Sequence, residues 1–304
     1  MWGAVRGPTK TGGCWNNNEI KEHINLLEMK AVLLGLQSLC SDCRDVHLRI
    51  RSDSQTCVTY VNKMGGSKSE KCNDMARGIW QWCIDRHIYI SAEHIPGVLN
   101  KTADEESRNR NNSGEWSLSQ DIFKLIVKHF KVTPSIDLFA TRINFKVSRF
   151  VAWFPDPMAS FINVFLHKFH EEMFYAFPPF LCIDKFLKKV DLEKMEGIII
   201  VPCWKTQPFF PSLLKLLIEF PVLIRWRASL LEHPHLQEHP LGKRLKLMAC
   251  RISGNHAKAR DFQQKLWTSC VPDGPKVPQN NMPLTLKNGK ISVGQGTGIP
   301  LRVV

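Results

Sequence analysis

The run Gly197-Ile198-Ile199-Ile200-Val201 constrains this chain more than any other segment. Successive β-branched residues are stiff at χ1 and favour extended backbone. No polar residue alternates with them, so both faces of the strand must be covered. That is the condition of a strand in a parallel sheet flanked by helices. The neighbouring pattern agrees. Ser119 to Lys131 reads as a helix with Ile122, Leu125, Ile126 and Phe130 on one face, and Asp137-Leu138-Phe139 as a short strand. Phe174 to Phe177 reads as a strand running into Pro178-Pro179, and Ile183 to Val190 as a helix. Ser212 to Glu219 reads as a helix and Pro221 to Ile224 as a final strand.

The first third of the chain alternates in the same way. Residues 21–39 read as an amphipathic helix with Ile24, Leu27, Ala31 and Leu34 at helical spacing. Residues 46–52 read as a strand. Ser54 to Lys63 reads as a helix capped by Asp53 or Ser54 and broken by Gly65-Gly66-Ser67. Asn73 to Arg86 is expected to be helical, with Trp80 and Cys83 inward, and Ile88 to His94 to be a strand. A turn at Pro96-Gly97 leads to a short helix from Lys101 to Arg108. The polar segment Asn109 to Gly114 marks the domain boundary. The expected division is a domain over 1–108, a linker over 109–117, a second domain over 118–235, and a basic, partly disordered tail over 236–304. After His235 the apolar pattern thins, and 270–304 is rich in Pro, Gly and Asn.

At 304 residues, length favours two domains. The net charge of +13 suits a polyanion, most simply nucleic acid. The plainer reading is a basic chain kept soluble by self-repulsion. From Leu236 to Val304 eleven Lys/Arg face three Asp/Glu, a net of +8. No apolar run of membrane-spanning length occurs, and the start lacks the apolar centre of a signal peptide. The ten cysteines are therefore expected to be reduced thiols, and the protein intracellular, in nucleus or cytoplasm. Cys40 and Cys43 form a CxxC without a second pair at zinc-ligand spacing.

Three acids stand on or beside separate elements: Glu28 in the first helix, Asp53 at the end of the first strand, Asp104 after the second. Carboxylates so placed can converge on Mg²⁺, a hard cation that takes oxygen ligands. A pair of such ions stabilises the attacking and leaving oxygens of a phosphodiester. The plainer reading gives them separate work: Asp53 as helix cap, Glu28 as surface charge, Asp104 as a first-turn acid favouring the helix dipole.

The surrounding residues add a family resemblance. His23-Ile24-Asn25-Leu26-Leu27-Glu28-Met29-Lys30-Ala31, then Arg51-Ser52-Asp53-Ser54, then His94-Ile95-Pro96-Gly97-Val98-Leu99-Asn100-Lys101-Thr102-Ala103-Asp104, ending Ser107-Arg108, resemble the RNase H domain of DIRS-type retroelement polyproteins, which use a tyrosine recombinase. The resemblance covers about residues 1–110. It implies an RNase H-like mixed sheet with helices and Mg²⁺-dependent hydrolysis of the RNA strand of an RNA–DNA hybrid. Glu28, Asp53 and Asp104 would be the second, third and fourth metal carboxylates. His94 would shape the turn or assist acid–base chemistry, and Arg51, Asn100 and Arg108 would be structural or touch nucleic-acid backbone. Family members carry a first aspartate shortly before a Gly-Trp-Gly-Ala segment. Trp2-Gly3-Ala4 matches that segment, so the first aspartate and part of its strand are expected to be missing, and activity to be weak or absent.

The second half, with Asp137-Leu138-Phe139-Ala140, Asn144, Asp156 and Tyr175-Ala176-Phe177-Pro178-Pro179-Phe180, resembles the Dam-type adenine methyltransferase region of the same elements. That resemblance implies a Rossmann-like α/β domain binding S-adenosylmethionine beyond its strand ends. Asp137, Pro178, Pro179 and Phe180 would then lie at the cofactor or base site. The family's Asp or Asn before the prolines is replaced by Phe177, which accepts no hydrogen bond, so methyl transfer and S-adenosylmethionine binding are not expected. The plainer reading of Asp137 is a loop cap; Phe180 reads either as core or as a ring stacking on a base. In the tail, Lys243, Arg244 and Lys246, with Lys258 and Arg260, would bind phosphate or form a solvated basic helix. The leading expectation is a retroelement-derived nucleic-acid-binding protein that takes hybrid or DNA. The alternatives are an active Mg²⁺-dependent RNase H and a non-enzymatic interaction scaffold.

Overall fold

The computed structural model describes residues 1–108, 116–234, 236–269, 290–293, 297–300 and 302–303. Residues 109–115 of the expected linker at 109–117, and most of the expected disordered segment after 270, lie outside the described residues. The chain divides into two compact units. Unit 1 comprises Met1–Asn112 with Thr141–Ile143 and Ala152–Ile162; unit 2 comprises Ser113–Ala140, Asn144–Val151 and Asn163–Val304.

Unit 1 begins with a hairpin, β1 (Trp2–Arg6) and β2 (Thr9–Gly13), turning at Gly7, whose φ of 58° suits glycine. There follow α1 (Ile24–Leu39), β3 (His47–Ser52), α2 (Gln55–Asn62), α3 (Glu70–Ile84), β4 (Tyr89–His94) and α4 (Lys101–Arg108). Ser54 and Ser69 start α2 and α3, their hydroxyls accepting from the amides of Cys57 and Cys72. The cap of α2 is thus Ser54 rather than Asp53.

The strands form two separate two-stranded sheets, β1–β2 antiparallel and β3–β4 parallel, rather than the single mixed sheet that was expected. No described strand hydrogen-bonds to both. One cluster holds Trp2, Trp15, Leu27 and Leu34, with Ala4 and Ala31 against it, joining the hairpin to α1. A larger one holds Met29 and Leu36 of α1 with Cys57, Val61, Ile79, Trp80, Cys83 and Ile90, and packs Leu48 and Ile50 of β3. Ile24, expected to face inward, is 59% exposed because it opens α1. The other face of the hairpin meets α4: a Cβ on Gly3 would overlap the Ala103 carbonyl oxygen and lie 2.6 Å from the Ser107 amide.

Unit 2 contains β5 (Ser117–Leu118), α5 (Gln120–Phe130), β6 (Ile136–Asp137) and β9 (Met173–Ala176); the short strands β7 (Val151–Ala152) and β8 (Phe161–Ile162) precede β9 in the chain, β8 falling in unit 1. It continues with α6 (Ile183–Glu193), β10 (Glu196–Pro202), α7 (Phe209–Leu216), β11 (Val222–Ile224), β12 (Leu231–Glu232), β13 (Leu247–Ser253) and α8 (His256–Ser269). β14 (Lys290–Val293) and β15 (Thr297–Pro300) pair as a hairpin, and β16 (Arg302–Val303) completes the set. α7 starts three residues earlier than the sequence pattern indicates. Pro211 is accommodated because it lies in the first turn, where no intrahelical N–H is required.

The six-stranded sheet has the order β16-β11-β13-β10-β9-β6. β6, β9 and β10 run parallel, and β13 runs antiparallel between β10 and β11. The isoleucine run is central and covered on both faces, as expected, with Ile198, Ile199 and Ile200 all 0% exposed. The expected tail is corrected: β13 is buried along its whole length and is the partner of β10. Its one charge, Arg251, pairs with Glu196 at 2.6 Å and Glu219 at 3.5 Å, which offsets the cost of burying it. Leu125, expected on the inner face of α5, is 40% exposed, while Ile122, Ile126 and Phe130 are buried. No described helix is long and apolar enough to cross a membrane, and the described cysteines are all free thiols.

Candidate nucleic-acid interface

The parallel pairing of β3 and β4 sets their C-terminal ends side by side, with Ser52 opposite His94. Asp53 leaves one strand and Ile95 the other, whose amide donates to the Ser52 carbonyl at 3.0 Å. The Asp53 carboxylate is exposed and stands over Gly97, whose added Cβ would lie 3.7 Å from Oδ2. His94 is exposed and its Nε2 donates to the Asp53 backbone carbonyl at 3.2 Å, not to a carboxylate. That contact ties the end of β4 to the residue that follows β3.

From this turn the chain passes through Asn100, whose carbonyl accepts from the Asp104 amide, into α4. Asp104 is half-buried and its carboxylate holds Arg108 at 2.9 Å, one turn along the helix. Glu28 is half-buried on α1. Its charge, after burial, helps push the Cys57 thiol up to about 12. Among the described residues no three His, Cys, Asp or Glu side chains form a group able to hold a metal ion. Glu28, Asp53 and Asp104 all lie in unit 1, on α1, after β3 and on α4.

The outer face of β3–β4 is polar. Arg49 and Arg51 are exposed, and both approach Glu93, at 4.0 and 3.5 Å. Exposed pairs of this kind exchange readily with other anions, because each contributes little stability.

Unit 1 also holds a charged group that sequence reading missed. Glu19 is 6% exposed and receives both arms of the Arg142 guanidinium at 2.9 Å, Lys30 at 2.7 Å and the Asn16 amide at 2.8 Å. Burial alone would raise its pKa, but these donors bring it down to about 2. No local signal pairs Glu19 with an arginine so distant in sequence.

In unit 2, Asp137 ends β6 beside Tyr175 of β9. It is 2% exposed; Oδ1 accepts from the Phe139 amide and Oδ2 from the Lys146 amide. Burial pushes its pKa up to about 6 against the pull of those amides. It caps its loop through those two amides. Pro178 is buried and Pro179 half-buried. Phe180 is half-buried and packs edge-on against Trp204, with centroids 5.0 Å apart. Lys243 and Arg244 lie on a single 3-10 turn, Gly242–Arg244, and are exposed, as is Lys246. No known protein-family model matches the chain, and no curated protein matches it.

Proposed function

We propose that unit 1 binds nucleic acid, with a preference for RNA–DNA hybrid, as a retroelement-type RNase H-like unit whose carboxylates are not assembled for catalysis. The observation that carries this reading is the shared C-terminal edge of β3 and β4. There Asp53, His94 and the turn leading to Asp104 lie together beside the exposed Arg49 and Arg51. The net charge of +13 supports a polyanionic partner, since basic surfaces concentrate phosphates and release counterions. Arg51 and Arg108 would contact backbone phosphates, with Asn100 holding the turn between them. No cleavage step is assigned to Mg²⁺, because the described acids do not form its ligand set.

Fluorescence anisotropy with a labelled RNA–DNA hybrid and the matching DNA duplex tests this. The hybrid should bind more tightly, and Arg51→Gln and Arg108→Gln should each weaken it severalfold and flatten its salt dependence by about one phosphate. Equal affinity for the two duplexes would remove the hybrid preference. Binding without salt dependence would favour a scaffold role. Hybrid cleavage abolished by Asp53→Asn and by chelation would instead establish a nuclease.

A further inference from the structure

One edge of the unit 2 sheet gathers rings from four separate stretches of chain. β9 and β10 are parallel neighbours, so Phe177–Phe180 and Cys203–Lys205 leave the sheet on the same side. β13 is antiparallel to β10, with Leu247 opposite Pro202, so residues 239–246 arrive at that side as well. The Cys203 amide donates to the Lys246 carbonyl at 2.8 Å, tying the two loops. β5 and β12 pair with Ser117 opposite Glu232, which brings Trp116 beside His233.

The rings form a continuous row. Trp116 lies 4.7 Å from His233 and 4.9 Å from His239, His239 lies 6.3 Å from Phe180, and Phe180 lies 5.0 Å from Trp204, all between centroids. Trp116, Phe180, Trp204 and His239 are half-buried, and the first three pack against the core. Burial lowers the His239 pKa, which favours a neutral ring at physiological pH. Four exposed cations border the row: Lys205, Lys243, Arg244 and Lys246. The stretch 236–247 contains three of them and one acid, Glu238.

We propose that this ring-and-cation edge binds single-stranded nucleic acid, stacking bases on Trp204, Phe180, His239 and Trp116 while Lys205, Lys243, Arg244 and Lys246 hold its phosphates. Aromatic rings interleaved with cations suit an unpaired strand, because base faces are free to stack only when the strand is not in a duplex. A protein ligand is a poorer fit, since four cations against two exposed acids, Glu232 and Glu238, favour a regularly spaced polyanion. The residues of this site belong to unit 2, whereas those of the proposed hybrid-binding surface belong to unit 1.

The test uses the full chain and a fluorescein-labelled oligo-dT, which forms no secondary structure. Binding should quench tryptophan emission. Trp204→Ala should weaken oligo-dT about tenfold, with Trp204→Phe restoring most of the loss. Replacing Lys243, Arg244 and Lys246 together by Gln should lower the salt slope by about 2. Neither change should alter hybrid affinity, whereas Arg51→Gln should alter only that. Unchanged oligo-dT affinity in Trp204→Ala with an unchanged thermal melt would overturn the proposal. If Trp204→Ala lowers the melt, the triple Gln variant decides, because its side chains are exposed; an unchanged salt slope there would overturn the proposal. Displacement of oligo-dT by poly-glutamate at equal charge concentration would also overturn it, by marking a general polyanion surface.

Discussion

Glu19 and Arg142 meet in a two-pronged ion pair, both arms at 2.9 Å, with the arginine side chain 8% exposed and the glutamate 7%. Removing Glu19 leaves the Arg142 charge buried without its counter-charge, which costs about 3–5 kcal/mol. Glu19→Gln should therefore lower the melting temperature of unit 1 sharply. The wild type should also lose this stabilisation in acid. Its folded pKa of about 2 lies below the ordinary value of 4.5, so the contribution is complete above about 4.5 and fades as pH falls towards 2. Thermal melts from pH 7 to pH 2.5 on both proteins check this: the variant should show a shallower acid decline.

Gly3 sits so close to α4 that a methyl group there meets backbone rather than a flexible side chain. Gly3→Ala must shift the helix or the hairpin, at a cost of about 1–3 kcal/mol. Because α4 carries Asp104 and Arg108, the same change should weaken hybrid binding while leaving oligo-dT binding untouched. Chemical denaturation and the two anisotropy titrations read these effects side by side.

Tyr175 carries a hydroxyl that is buried without a hydrogen-bond partner among the described residues. Burial and the Asp137 charge both hold it protonated, well above its ordinary pKa. Tyr175→Phe deletes an unsatisfied polar atom and keeps the ring that packs edge-on against Phe123 at 4.8 Å. It should be neutral or stabilise unit 2 by about 1 kcal/mol. Asp137 adds a pH signature of opposite sign to that of Glu19. Its folded pKa of about 6 exceeds the usual 3.8, so its cost to stability grows between those pH values and is constant above. Asp137→Asn should flatten that slope: it removes the cost of the buried charge at pH 7, against which the loss of one acceptor for a backbone N–H counts about 1 kcal/mol.

Truncation after Glu232 should abolish cooperative unfolding of unit 2, although the composition of the removed part reads as a tail. β13 supplies the antiparallel partner of β10 from Glu196–Ser253 to Pro202–Leu247 and contributes a fully buried strand. Circular dichroism melts of the shortened chain should show no sharp transition for this unit; a retained transition would refute the central role of β13.

Legibility in the sequence followed how locally each feature is specified. The isoleucine strand, α2, α4 and the β3–β4 alternation were readable because their burial pattern repeats within a few residues. β13 was not, since Lys246 beside it and Arg251 within it mask a run whose charge is neutralised by Glu196 and Glu219 from elsewhere. The acids Glu28, Asp53 and Asp104 were readable as motifs. How near they stand to one another was not, because that depends on how strands and helices distant in sequence pack. Asp137 had two readings, and its amide contacts show the loop cap. The ring row was invisible because no two of its linked rings are neighbours in sequence.

The return of β13 to the middle of its sheet sets an order of events during synthesis. β9 and β10 emerge from the ribosome with β10 lacking the neighbour that covers its second edge. That edge, the most apolar in the chain, stays open until Ser253 has cleared the exit tunnel, about 50 residues later at roughly 5–20 residues per second. For those seconds the nascent chain presents a bare β-branched strand to any other chain in reach. Slowed elongation between β11 and β13 should therefore raise the aggregated fraction, whereas a chaperone that shields β10 over the same interval should lower it.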